Sequence, residues 1–69
     1  MADLVNHPPH YTHGDIEAID VIEDWDLPYH LGQVVKYVCR AEHKGSTIQD
    51  LEKARWYLDR HIANLKAGR

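Results

Sequence analysis

Ile48, Leu51, Arg55, Leu58, Ile62 and Leu65 follow one another at alternating steps of three and four. That spacing is the heptad-like seam of a helix, and a helix from Thr47 to Lys66 would run about 30 Å at the usual rise per residue. In a chain of 69 residues such a helix is long for one subunit, and its seam suits packing on another. A core in so short a chain rarely supplies more than about 3–5 kcal/mol, so a staple or a partner is needed. The single cysteine, Cys39, excludes an intramolecular disulfide framework and a four-cysteine zinc site. Metal and self-association remain as staples, and self-association is the reading adopted: a homo-oligomer.

The length allows one domain, residues 1–69, in which residues 1–14 form an extended arm and residues 15–66 three helices. Asn6, Pro8, Pro9 and Gly14 interrupt any periodicity in the arm. Asp15 to about Trp25 reads as the first helix, with Asp15 and Glu17 at the positive end of its dipole. Ile16, Ile19 and Ile22 share a side that Ala18, Val21 and Trp25 widen. The β-branched run Ile19–Ile22 leaves a strand open, but the alternation fails at Val21-Ile22, which favours helix. Asp26 can cap a second helix with Pro28 in its first turn. Leu31, Val34, Val35, Val38 and Ala41 give that helix a core-facing pattern, and Gly45 after Lys44 suits the left-handed residue that ends it. Ser46-x-x-Gln49 spells a capping box for the third helix, with Thr47 as an alternative cap. The expected fold class is therefore all-α, an arm followed by three helices, completed by oligomerisation. The start Met-Ala-Asp-Leu-Val has no signal-peptide pattern, and no apolar run approaches the length that spans a bilayer.

With 8 Lys+Arg against 11 Asp+Glu, the formal charge is −3, which argues against general DNA or RNA binding. Charge is concentrated locally, however. Lys36, Arg40 and Lys44 rise at four-residue steps along one side of the second helix and lead into Gly45-Ser46-Thr47. Free backbone N–H groups at a helix start, with a glycine and hydroxyls beside them, suit a phosphate, and converging cations would neutralise it. A solvated charged face followed by ordinary caps accounts for the same residues. The motif Gly-x-x-x-x-Gly-Lys-Ser/Thr is absent, and so is a dinucleotide-binding glycine fingerprint. On the third helix, Asp50, Lys53, Tyr57 and Arg60 follow one face, flanked by Trp56. Aromatic rings beside cations can stack a nucleobase while the cations hold its phosphates. Alternatively, Trp56 and Tyr57 close a small core or an interface, and for Trp56 burial is expected.

His7, His10 and His13 are spaced by three, but an extended arm does not preorganise them for a metal, and none is assigned. His10 or His13 could instead contact a phosphate or carry a proton. Asp20, Glu23, Asp24 and Asp26 form an acidic run with two readings, helping to hold Mg²⁺ on a nucleotide or forming the solvated side of the first helix and its exit turn. Cys39 reads as a small core residue rather than a nucleophile.

Taken in order, His10-Tyr11, Gly14-Asp15-Ile16-Glu17-Ala18-Ile19-Asp20, Lys36-Tyr37-Val38-Cys39-Arg40-Ala41, Lys44-Gly45 and Asp50-Leu51-Glu52-Lys53-Ala54-Arg55-Trp56-Tyr57-Leu58 form a familiar series. It resembles a bacteriophage family of small nucleotide-kinase-like, or SaV-like, proteins, over most of the chain from about Asn6 to Ile62. The resemblance implies a protein of the cytoplasm of an infected bacterium. A larger coliphage relative is regarded as an oligomeric nucleoside-monophosphate kinase without a P-loop. Carried over, the pattern covers His10, Tyr11, Glu17, Lys36, Tyr37, Arg40, Lys44, Asp50, Lys53, Trp56 and Tyr57. On a kinase reading, Lys36, Arg40, Lys44 and Lys53 with His10 would hold phosphate, and Gly45 and Ser46 would cradle it. Tyr11, Tyr37 or Tyr57 would stack the base, and Glu17 or Asp50 would position Mg²⁺ brought by the nucleotide, with no tightly bound cofactor. This chain is little more than the shared module, whereas phosphoryl transfer needs two nucleotides and a metal held in line. A nucleotide-binding protein that sequesters a host nucleotide signal, cyclic or linear, and a module that binds a host protein are the competing readings.

Overall fold

The computed structural model of the chain describes residues 12–41, 43 and 45–69. They form a minimal hairpin and three helices: β1 (Thr12–His13), β2 (Ile16–Glu17), α1 (Ala18–Asp24), α2 (Tyr29–Arg40) and α3 (Thr47–Lys66). The expected all-α class with three helices is observed, and α3 has the bounds its periodicity predicts. Most of the expected arm, including His7, His10 and Tyr11, lies outside the described residues, as does Lys44.

The first helix starts three residues later than the sequence suggests. Thr12 pairs with Glu17 and His13 with Ile16, antiparallel, across a two-residue turn in which Gly14 has φ 63°. A Cβ is strained at such a φ, which is why glycine stands there. Asp15 is thus a turn residue, and Glu17 is the extended N-cap of α1, where it closes a capping box with Asp20. The Glu17 backbone N–H donates to Asp20 Oδ2 at 3.3 Å.

Asp26 does not cap α2. It has φ 50° and ends α1: its N–H donates to the Glu23 carbonyl at 3.1 Å, and the Leu27 N–H to the Ile22 carbonyl at 3.0 Å. This is the Schellman arrangement with aspartate where glycine is usual. The same arrangement ends α3, where Gly68 (φ 79°) donates to Leu65 and Arg69 to Asn64. Pro28 is the N-cap of α2 rather than a member of its first turn. Helix α2 stops at Arg40, short of the expected Lys44, and Gly45 (φ 68°) turns the chain five residues further on. Ser46 is the N-cap of α3, but its side chain makes no cap hydrogen bond, so the expected Ser46–Gln49 box does not form.

Helices α2 and α3 run antiparallel as a hairpin, as the facing pairs Arg40–Asp50, Tyr37–Tyr57 and His30–His61 establish. Helix α1 leans on α2 at Gly32, where an added Cβ would meet Ile22 Cγ2 at 3.4 Å. Among the described residues, the fully buried apolar side chains are three alanines, Ala18, Ala41 and Ala54. Val38, expected in the core, is exposed, as are Ile16, Ile19 and Trp25. Helix α3 turns Asp50, Ala54, Tyr57, His61 and Asn64 inward, at steps of four and three, and these are its buried or half-buried positions. The heptad seam lies about 100° round the helix from that face. All five of its aliphatic residues are exposed, Ile48 at 76%.

Candidate functional site

Of the residues singled out from sequence, those on α2 and α3 gather at two places on the α2–α3 hairpin. At its closed end, Asp50 in the first turn of α3 is 1% exposed and lies 3.6 Å, Oδ2 to Nε, from Arg40 in the last turn of α2, whose side chain is 27% exposed. Each charge sits at the helix end whose dipole favours it, the carboxylate at an N-terminus and the guanidinium at a C-terminus. A buried charge is tolerated when paired, and the two dipoles add to the pairing. Asp50 Oδ2 has no hydrogen-bond partner among the described residues. The role of magnesium ligand suggested for Asp50 is therefore corrected: the carboxylate faces inward and clamps the helix ends together. Glu17, the other candidate, is engaged in starting α1.

Near this end, Gly45, Ser46, Thr47, Ile48, Gln49 and Glu52 line an open depression of about 560 Å³. The amides of the α3 N-terminus are the attraction for an anion there. Asp50 in the first turn and Glu52 at the rim oppose it with two carboxylates.

The second place is the flank of the hairpin. Tyr37 of α2 and Tyr57 of α3 stack with ring centres 5.8 Å apart and planes 14° from parallel. Tyr29 and Trp56 meet Tyr57 edge-on at 6.2 and 5.0 Å. His30 continues the cluster, 6.2 Å from Tyr57 and 6.0 Å from His61. Lys53 Nζ stands 5.4 Å from the centre of the Tyr37 ring and Lys36 Nζ 5.8 Å, one from each helix. Both are within cation–π range. Partial burial raises the pKa of the Tyr57 hydroxyl above its ordinary 10.0, and its hydrogen bond with Tyr29 and the proximity of Tyr37 act in the same direction. Burial likewise raises the pKa of the half-buried Cys39 thiol.

Trp56, expected to be buried, is 60% exposed. Arg60 is exposed, apart from this cluster. Tyr29, His30 and His61 were not singled out from sequence. A signal was present, because His61 falls one helical step beyond Tyr57 on the inward face, but polar side chains conceal an inward face. Asp20, Glu23 and Asp24, with Ile16, Val21 and Trp25, line a separate open depression of about 630 Å³ on α1. Among the described residues no group of three or more His, Cys, Asp or Glu is placed to hold a metal ion, and no helix is long and apolar enough to cross a membrane.

A helical hairpin braced by a buried ion pair, with an aromatic cluster and two lysines along its flank, defines this as a small α-helical protein. Residues 5–59 match the profile of a family described as protein of unknown function, DUF3310, and the chain belongs to that family. The match takes in α1, α2 and the first two-thirds of α3. No curated protein and no solved structure gives a significant match.

Proposed function

We propose that the protein binds a nucleotide on the flank of the α2–α3 hairpin, and that its working unit is a homo-oligomer. The observation that carries this reading is the convergence of Lys36 and Lys53, from two helices, on the half-buried Tyr37 ring. Two ammonium groups beside an aromatic face offer phosphate neutralisation and base stacking within the reach of one mononucleotide. Arg40, held by Asp50 but still part-exposed one turn beyond Lys36, adds a third cation. The resemblance of the Lys36–Ala41 and Asp50–Leu58 motifs to phage nucleotide-kinase-like proteins supports the same ligand class and an origin in the infected bacterial cytoplasm.

Binding without turnover fits this geometry better than phosphoryl transfer. Both carboxylates considered for Mg²⁺ have other work, Glu17 at the start of α1 and Asp50 against Arg40. A binding protein of this kind would act by sequestering a host nucleotide signal, as counter-defence proteins do. Titration calorimetry with a panel of linear and cyclic nucleotides tests the proposal. The expected result is saturable heat that Lys53→Ala and Lys36→Ala each reduce about tenfold or more in affinity, as loss of a charge-assisted contact does, with unchanged melting temperature. Absence of heat with every nucleotide would overturn it and bring forward the host-protein module. Incubation with ATP, Mg²⁺ and nucleoside monophosphates, followed by chromatography, would reveal a kinase through new diphosphates.

A further inference from the structure

We infer that the exposed seam of α3 is the surface through which two copies of this chain associate, with their α3 helices antiparallel. The inference rests on the homo-oligomer part of the reading above and is independent of the nucleotide. Leu58 and Ile62 at the middle of the seam are 40% and 41% exposed, and Ile48 and Leu65 at its ends are more so. The seam is turned away from α2, which takes the neighbouring face of α3 through Asp50, Ala54 and Tyr57. Intrachain packing therefore leaves two-fifths or more of each aliphatic seam residue open. At ordinary side-chain areas its aliphatic residues expose on the order of 500 Å², and Arg55 brings the strip to roughly 700 Å², close to the ~800 Å² per partner of a specific interface. Its three-four spacing is the one that lets two helices interlock along their full length.

Orientation follows from Arg55, the one charged member of the seam. Its side chain is largely exposed and lies 3.9 Å from Glu52 of the same helix. Parallel pairing would set two guanidinium groups against each other at the centre of an apolar strip, which is costly. Antiparallel pairing sets Ile48 against Leu65 of the partner subunit, Leu51 against Ile62 of the partner subunit, and Arg55 against Leu58 of the partner subunit. Arg55 then comes within a helical step of Asp59 of the partner subunit, and the apolar layers at both ends are intact. A second copy is the occupant that this register favours, because the strip is self-complementary when reversed.

Light scattering on the full chain after size exclusion, over a concentration series, is the test. The expected result is a dimer, or a multiple of one, and at least about a hundredfold weaker association for the double variant Leu58→Glu/Ile62→Glu. Because that variant could also lose its fold, Arg55→Leu provides a gain: it should tighten association about tenfold or more by removing the charged layer. A spin label at Lys66→Cys, in a Cys39→Ala background, should report a separation of about 30 Å in the antiparallel pair, against roughly 15 Å in a parallel one. A wild-type chain monomeric at every concentration overturns both this surface and the homo-oligomer reading. An oligomer that ignores the double variant and Arg55→Leu overturns the surface alone, and the short label distance overturns the antiparallel arrangement.

Discussion

Asp50 and Arg40 both carry the signs of surface residues in the sequence, one a first-turn acid and the other a member of a basic stripe. Folding places them together across the closed end of the hairpin, 3.6 Å apart, with the carboxylate fully buried. Removing one partner of a buried pair costs more than the pair contributes, since the survivor is left uncompensated. Asp50→Ala should lower stability in urea by about 3 kcal/mol, near the lower end for such pairs because Arg40 retains some water. A loss below about 1 kcal/mol would show that the pair is not a clamp. Tyr57 gives a pH signature. Its hydroxyl ionises above 10.0 in the folded chain, so the unfolded chain releases this proton first as the solution becomes alkaline. Its contribution is thus fully present below the ordinary 10.0, and stability falls as pH rises from there through the raised folded value. Tyr57→Phe should flatten that decline in alkaline urea titrations, and ultraviolet titration should lose a tyrosine that ionises above 10.0.

The elements were legible where periodicity runs long and obscure where a single residue sets a boundary. Helix α3 has five and a half turns of consistent spacing, and its limits follow from that spacing alone. The junction between α1 and α2 depends on Asp26, and aspartate serves equally as an N-cap or, less often, as a left-handed C′ residue. Sequence favours the first; the bonds from Asp26 and Leu27 back to Glu23 and Ile22 establish the second. At φ 50° an L-residue is strained and glycine is not, so Asp26→Gly should raise stability by about 0.5–1 kcal/mol. Asp26→Val should lower it by at least as much, because a β-branched residue tolerates that region least. Thermal melts of the two variants beside wild type decide the matter. Destabilisation by glycine would contradict the cap assignment. The hairpin before α1 was missed for a related reason: two-residue strands are too short to show alternation, and only Gly14 marks the turn.

At the scale of the molecule, the apolar side chains buried outright among the described residues are three small ones, Ala18, Ala41 and Ala54, while each exposed seam residue would contribute about 1.5–3 kcal/mol if fully covered. Stability of an associating chain depends on its own concentration. A hundredfold increase in protein should raise the melting midpoint by on the order of 5–10 °C, given the mass-action gain and the usual unfolding entropy of two such chains. Calorimetric scans at two concentrations measure this directly, and a midpoint independent of concentration would contradict association-dependent stability.

By itself the amino-acid sequence determined that the chain is helical, that its longest helix runs from Thr47 to Lys66, and that this helix carries a seam suited to a partner. These properties are local and periodic, written in residue spacing that no distant contact has to confirm. It also marked Lys36, Lys53, Tyr37 and Tyr57 as residue types suited to a nucleotide. Only the tertiary structure decided which of them meet. It paired Arg40 with Asp50, stacked Tyr37 on Tyr57, brought His30 and His61 into the same cluster, and turned the inward face of α3 away from its apolar seam. The reason is geometric: adjacent faces of one helix lie about 100° apart, and only the packing of α2 determines which of them is covered.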